Sequence, residues 1–236
     1  MENIEANIGT KPEPLKKLKR IDRYYISHEI RHLLHLESGF LFTVKQLFVS
    51  PGKFIRNFIF EDRGKATKPI IFLIFSATIF TLNFHFFHKE WQFFSLNQAS
   101  IDQYSAEKMI SNWMNNHIGY TSLMIGFLIA LWIKVFFRKH SYNIYEIIVI
   151  LCYSIGQVLL IIAFFSLLGS LFKVKLFSEI GFYTGNIYIF WAIGQFFGEQ
   201  KIINYVKSMV CCFLGAISFR LILNLLVTVY YELGIK

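Results

Sequence analysis

Only four prolines occur in 236 residues, and none follows Pro69. Helices beyond that point can run unbroken, so the paired, proline-interrupted helices from which many transporters build a midplane site are not available. Cysteine is equally scarce. Cys152, Cys211 and Cys212 all lie in apolar runs, and no C-x-x-C pair exists to hold zinc or perform dithiol chemistry, so all three are expected as small buried residues. Charged residues are 17% of the chain, where a soluble domain carries about 25%. No internal repeat is found. The first 23 residues are polar, without an apolar h-region or a small-residue cleavage site; a cleavable secretory signal is not expected, and the first span is left to direct insertion.

What fills the chain instead is apolar bulk. Hydrophobic residues reach 55%, with 27 phenylalanines, and several stretches meet the requirement of about 20 mostly apolar residues for crossing a bilayer as a helix. Five spans are predicted, near residues 69–87, 118–137, 147–172, 180–197 and 205–231. The fourth is the least apolar and carries Asn186 and Gln195. Pro69 opens the first, at a position where a missing N–H costs least. The glycines of the later spans, among them Gly194 and Gly215, are expected at close helix contacts. The fold class is therefore an all-α integral membrane protein, with a polar basic tail at 1–23, an amphipathic juxtamembrane region at 24–68 and a helical bundle at 69–236. Residues 1–68 hold 13 of the 24 Lys and Arg residues, and the 138–146 and 198–204 connections add to the same side. By the positive-inside rule the N-terminus is expected in the cytoplasm. The connection at 90–117, with Trp91 and Trp113 among polar residues, is expected to rest at the opposite interface.

The front of the chain is periodic rather than featureless. Residues 27–35 read SHEIRHLLH and contain H-E-x-x-H, the pattern of zinc proteases in which two histidines one turn apart hold the metal and the glutamate serves as base. His28, Glu29, His32 and His35 are thus candidates for a metal site with Glu29 as catalytic base. However, the histidines fall opposite the Ile26, Ile30, Leu33 and Leu34 stripe, as on a surface amphipathic helix, and no third ligand from another element is evident. No metal or other cofactor is expected. A second helix is predicted at 39–49, a break at Ser50, Pro51 and Gly52, and a third short helix at 53–60. Lys16, Lys17, Lys19, Arg20, Arg23, Arg31, Lys53, Arg56, Arg63, Lys65 and Lys68 form a basic surface ahead of the first span. Anionic lipid headgroups attract such juxtamembrane cations at about 1 kcal/mol each. No recognisable nucleic-acid module accompanies the charge, so membrane lipids, a protein partner or a second copy are the expected partners and nucleic acid is not.

The stretch HLESGFLFTVKQLFVSPGKFIRNFI, continued to Lys68 and Pro69, resembles an uncharacterised family of bacterial polytopic membrane proteins, the domain of unknown function 3667. The positions that carry the likeness are His35, Leu36, Gly39, Phe40, Thr43, Leu47, Pro51, Gly52, Ile55, Arg56, Lys68 and Pro69. Glu37 stands where the family usually has Asp. Many members also begin with a paired-cysteine zinc ribbon, which this chain lacks before Cys152. The resemblance implies a multi-pass protein of a bacterial inner membrane and supplies no activity.

Arg220 is the one formal cation well inside a span, where a charge costs about 2.5–3.5 kcal/mol unless paired or wet. Pairing with Glu179, at the start of the fourth span, and snorkelling to the headgroups are both open. The first functional expectation is a non-enzymatic membrane protein that binds anionic lipid or a partner through its basic front end. A small transporter, pore or membrane-disrupting effector using Arg220, Asn186 and Gln195 is the second. The third is a membrane zinc metalloprotease using HEIRH.

Overall fold

The computed structural model describes residues 39–87 and 105–232. Contacts divide the chain into Met1–Glu37 and Ser38–Lys236, and every described residue belongs to the second unit. The unit is all-helical over those residues: α1 Gly39–Val49, α2 Pro51–Phe60, α3 Pro69–Phe87, α4 Ser105–Asn116, α5 Ile118–Phe136, a 3-10 turn Arg138–His140, α6 Ile144–Phe172, α7 Leu176–Gly198 and α8 Ile202–Glu232.

Four of these helices, α3, α5, α6 and α8, are long and apolar enough to cross a membrane. α7 matches them in length at 23 residues but is diluted by Asn186, Gln195 and its glycines, as its sequence foretells. α6 is the central element, with 72% of its apolar window buried against 22–28% for the other three. It packs on α3 and α7, while α7 packs on α8, α8 on α5, and α5 back on α6. Large apolar side chains such as Ile74, Leu82, Phe127, Phe164, Ile187 and Leu225 remain exposed on the outer faces. In water such a surface would drive aggregation; in a bilayer it is the surface that hydrocarbon covers.

Local sequence explains the joints. Asn143 and Glu146 cap α6 reciprocally, each side-chain oxygen accepting the other's backbone N–H at 2.8 Å. At the far end of α6 Lys173 adopts the left-handed conformation (φ 55°), letting α7 begin three residues later, at Leu176. Small residues then let the helices close up: a Cβ on Gly215 would lie 2.4 Å from Ile129 Cγ1, and one on Gly194 would lie 2.5 Å from the Tyr205 ring. All three cysteines are free and buried, as their apolar settings predict.

Two expectations need correction. Pro51 and Gly52 do not break the chain but form the first turn of α2, with Ser50 alone outside the helices, because proline fits the first helical position. The 90–117 connection is more than an interfacial rest: it holds α4, whose Met114 is buried against Phe219 and Leu223 of α8.

Candidate functional site

α1 and α2 do not merely lie beside the bundle; they are bonded into it. Thr43 is fully buried, donating its hydroxyl to the Gly39 carbonyl at 2.7 Å and accepting the Thr67 N–H at 3.0 Å. The Thr67 carbonyl accepts the Tyr153 hydroxyl at 2.7 Å, and the Leu47 carbonyl accepts that of Tyr188 at 3.1 Å, so α6 and α7 each hold the segment by a buried tyrosine. The Tyr153 ring sits among Phe54, Phe58 and Phe72, at centroid distances of 5.3–5.7 Å.

The closest join is between α2 and the C-terminal end of α7. Gly52 donates its backbone N–H to Gln195 Oε1 at 2.7 Å. One turn on, Arg56 Nη1 donates to the carbonyls of Gln195 and Phe196 at 2.7 and 2.8 Å. A guanidinium at these carbonyls satisfies acceptors that a helix end leaves open and complements the negative end of its dipole. Only glycine permits the approach, since a Cβ at position 52 would stand 2.5 Å from the Gln195 carbonyl carbon. Arg63 closes α2 in the same manner, through Nε to Phe58 O at 3.1 Å and Nη2 to Ile59 O at 2.9 Å.

Residues 37–81 match a family model described as Protein of unknown function (DUF3667). The match covers α1, α2 and the first part of α3, so the resemblance read from the sequence is shown over this stretch. No curated protein and no solved structure matches the chain. Within the DUF3667 segment the pattern residues now have physical roles: Gly39 and Thr43 make the turn-to-Thr67 link, Leu47 and Ile55 are fully buried, Pro51 starts α2, and Gly52 and Arg56 clasp α7.

This clasp gathers charge. Lys53, Arg56, Arg63, Lys65 and Lys68 stand at the same end of the bundle as Lys134, Arg138, Lys139, Lys201 and Lys207. Phe137 and Phe197 stack there at 3.8 Å, with Lys207 over the Phe137 ring at 5.8 Å. His140 packs edge-on to Phe197. Its partial burial, then Lys207 and Lys201, push its pKa below the ordinary histidine value. Lys53, Arg63, Lys65 and Lys68 are exposed, whereas Arg56 is half-buried and its Nη1 is committed to α7.

Two clefts flank α2. One, of about 320 Å³, lies between α1 and α2 with Gln46, Lys53, Asn57 and Lys65 on its walls. The other, of about 830 Å³, runs down the flank between the end of α2 and the starts of α3 and α6. A third pocket, open and of about 260 Å³, is lined by residues of all five long helices, Ser122 and Asn186 among them. Asn186 donates to the Phe182 carbonyl of its own helix, and Gln195, a candidate for a transport path, is the acceptor for Gly52.

Two described sequence candidates lie away from this end. Arg220 and Glu179 are both exposed, on α8 and at the start of α7. α7 and α8 run antiparallel, with Gly194 against Tyr205 and the Ser208 hydroxyl on the Phe190 carbonyl at 2.6 Å; that register carries residues 179 and 220 to one level. His28, Glu29, His32 and His35 lie outside the described residues, as do Lys16, Lys17, Lys19, Arg20, Arg23 and Arg31. Among the described residues there is no group of three or more His, Cys, Asp or Glu that could hold a metal.

Proposed function

We propose that this multi-pass protein resides in a bacterial inner membrane with its N-terminus in the cytoplasm, and acts by binding rather than catalysis. The docked DUF3667 segment presents a cationic face to anionic lipid, and the basic residues nearer the N-terminus, Lys16, Lys17, Lys19, Arg20, Arg23 and Arg31, bind the same kind of headgroup. The observation that carries this reading is the clasp of α2 on α7: it fixes Lys53, Arg63, Lys65 and Lys68 beside the basic ends of α5 and α8 instead of leaving them on a free tail. Clustered juxtamembrane cations are attracted to the anionic cytoplasmic leaflet and resist translocation.

Reporter fusions test the orientation. A cytoplasmic reporter should be active at residue 1 and a periplasmic reporter at residue 236; the reverse pattern would overturn it. At the opposite end, pairing of Arg220 with Glu179 is supported by their common level. Arg220→Leu and Glu179→Gln should then lower folded yield to the same degree, and the double variant should be no worse than either. A neutral Arg220→Leu would favour snorkelling instead.

A second reading, a small transporter or pore, draws support from the five-helix cavity with Ser122 and Asn186 on its wall. Ion leak from liposomes that Asn186→Leu abolishes would establish it over the first.

A further inference from the structure

The flank cleft has two chemically distinct parts. Its wall is formed by Ile70 and Ile71 of α3 with Ile148 and Val149 of α6, and Ile70 and Ile148 are 63% and 39% exposed, open to whatever surrounds the bundle. Its mouth carries Arg63 and Lys68. These two cations precede the first residue of the first span, at the depth where lipid headgroups meet hydrocarbon.

The one acid on the wall is already occupied. Glu146 accepts the Asn143 N–H and, with Asn143, closes the start of α6. α3, which starts on the same cleft, has no acidic residue in its first turn, so its positive end adds to the two side-chain charges. Arg63 is preorganised as well. Two of its N–H groups hold the end of α2, fixing the guanidinium plane while leaving others of its five for an outside acceptor. A free inorganic anion would find the charge but no use for the apolar wall. A neutral lipid would fit the wall but leave the two cations without an anionic partner. A molecule with one phosphodiester charge and acyl chains matches both parts.

We propose that this cleft binds a single anionic glycerophospholipid, its phosphate on Arg63 and Lys68 and an acyl chain along Ile70, Ile71 and Ile148. The proposal rests on the reading that the basic end faces an anionic leaflet, and names the site and the ligand within it.

The test uses the full chain purified in a neutral detergent, with phosphatidylglycerol, phosphatidylcholine or inorganic phosphate added and binding read by native mass spectrometry and by thermal shift. One equivalent of phosphatidylglycerol should be retained and should raise Tm saturably, while phosphatidylcholine and phosphate do neither. Lys68→Gln, which removes no helix cap, should weaken retention at least tenfold. Ile70→Trp, at an exposed position, should do the same by obstructing the wall. Lys173→Gln with Lys175→Gln, exposed cations at the opposite end of the bundle, should leave retention unchanged. Retention by Lys68→Gln and Ile70→Trp equal to wild type would overturn the cleft while sparing the wider lipid reading. Failure of the wild type to distinguish phosphatidylglycerol from phosphatidylcholine would overturn both. Equal stabilisation by inorganic phosphate would show an anion site and overturn the lipid assignment.

Discussion

Gly52→Ala should loosen the whole α1–α2 segment, although alanine is the better helix former. In an isolated helix the change would gain up to about 1 kcal/mol. Here the added Cβ would stand 2.5 Å from the Gln195 carbonyl carbon, 2.6 Å from Phe196 N and 2.7 Å from Gln195 O, whereas carbon atoms pack at about 3.5–4.0 Å. All three are backbone atoms of α7, so no side chain can turn aside. α2 must retreat by about 1 Å, the difference between those separations. That retreat stretches the Gly52 bond to Gln195 Oε1 and both Arg56 bonds, now 2.7, 2.7 and 2.8 Å, together. A neutral hydrogen bond contributes about 0.5–1.5 kcal/mol net and one from a charged donor about 1.5–3. Set against the propensity gain, the expected loss is about 2 kcal/mol. Because all three cysteines are free and buried, a thiol-reactive dye reports unfolding in detergent without added probes. Gly52→Ala should lower the midpoint by several degrees. Arg56→Ala should do likewise, and the double variant should lose less than the two losses combined, because both release one junction. A Gly52→Ala protein as stable as wild type, or more so, would refute the close approach of α2 to α7.

Three further outcomes follow from the joints. Asn143→Ala removes one half of the capping box at α6 and should cost about 1 kcal/mol, measured by the same dye assay. Lys173→Gly relieves the left-handed conformation at the end of α6 and should raise the midpoint by an amount corresponding to up to about 1 kcal/mol. The native pKa of His140 lies below its ordinary value near 6.5, so the folded state binds fewer protons than the unfolded state just below that pH. Its contribution to stability should therefore decline as pH falls from about 6.5 toward the lowered native value, and His140→Gln should flatten stability across that window.

The boundaries of the long helices were legible because hydropathy marks them: the starts and ends of α3, α5, α6, α7 and α8 differ from the sequence reading by a few residues. α7 alone of the five long helices falls short of the apolarity that marks a candidate span, and Asn186 and Gln195, which dilute it, are plain in the sequence. What periodicity could not supply was the neighbour of each face. The segment at 39–60 shows a stripe, and a stripe fits lipid as well as protein. Its partners, Gln195 and Phe196, lie about 140 residues along the chain. The buried threonines gave a weak signal: Thr43, a polar residue on the face of α1 that also carries Leu47, is there for Thr67. Arg56 could not be told from Arg63 or Lys68 by composition, although it faces inward and they face out.

The ending of the family match at residue 81, far short of the contacts it makes, has a physical explanation. Arg56 reads main-chain carbonyls, which every residue type provides, and Gly52 is required by the closeness of main-chain atoms rather than by any side chain. The tyrosine bonds run the other way, from side chains of α6 and α7 to the segment's own carbonyls at Thr67 and Leu47. A segment that docks in this way must keep its own glycine, proline, threonine and arginine, while the receiving bundle must keep the end of α7 in place and the hydroxyls of Tyr153 and Tyr188. Of the α7 side chains in the α2 clasp, Gln195 alone donates or accepts a bond, and a side chain of another length with a free acceptor could take the Gly52 N–H. The signature therefore belongs mainly to α1, α2 and the start of α3, and the bundle that receives it is free to vary around a fixed end of α7 and two tyrosine hydroxyls. The sharp test is on the receiving side. Gln195→Leu removes one neutral bond and should cost about 1 kcal/mol, less than Arg56→Ala; if it cost more, side-chain recognition by α7 would be the larger part of the clasp, and this account of the pattern would fail.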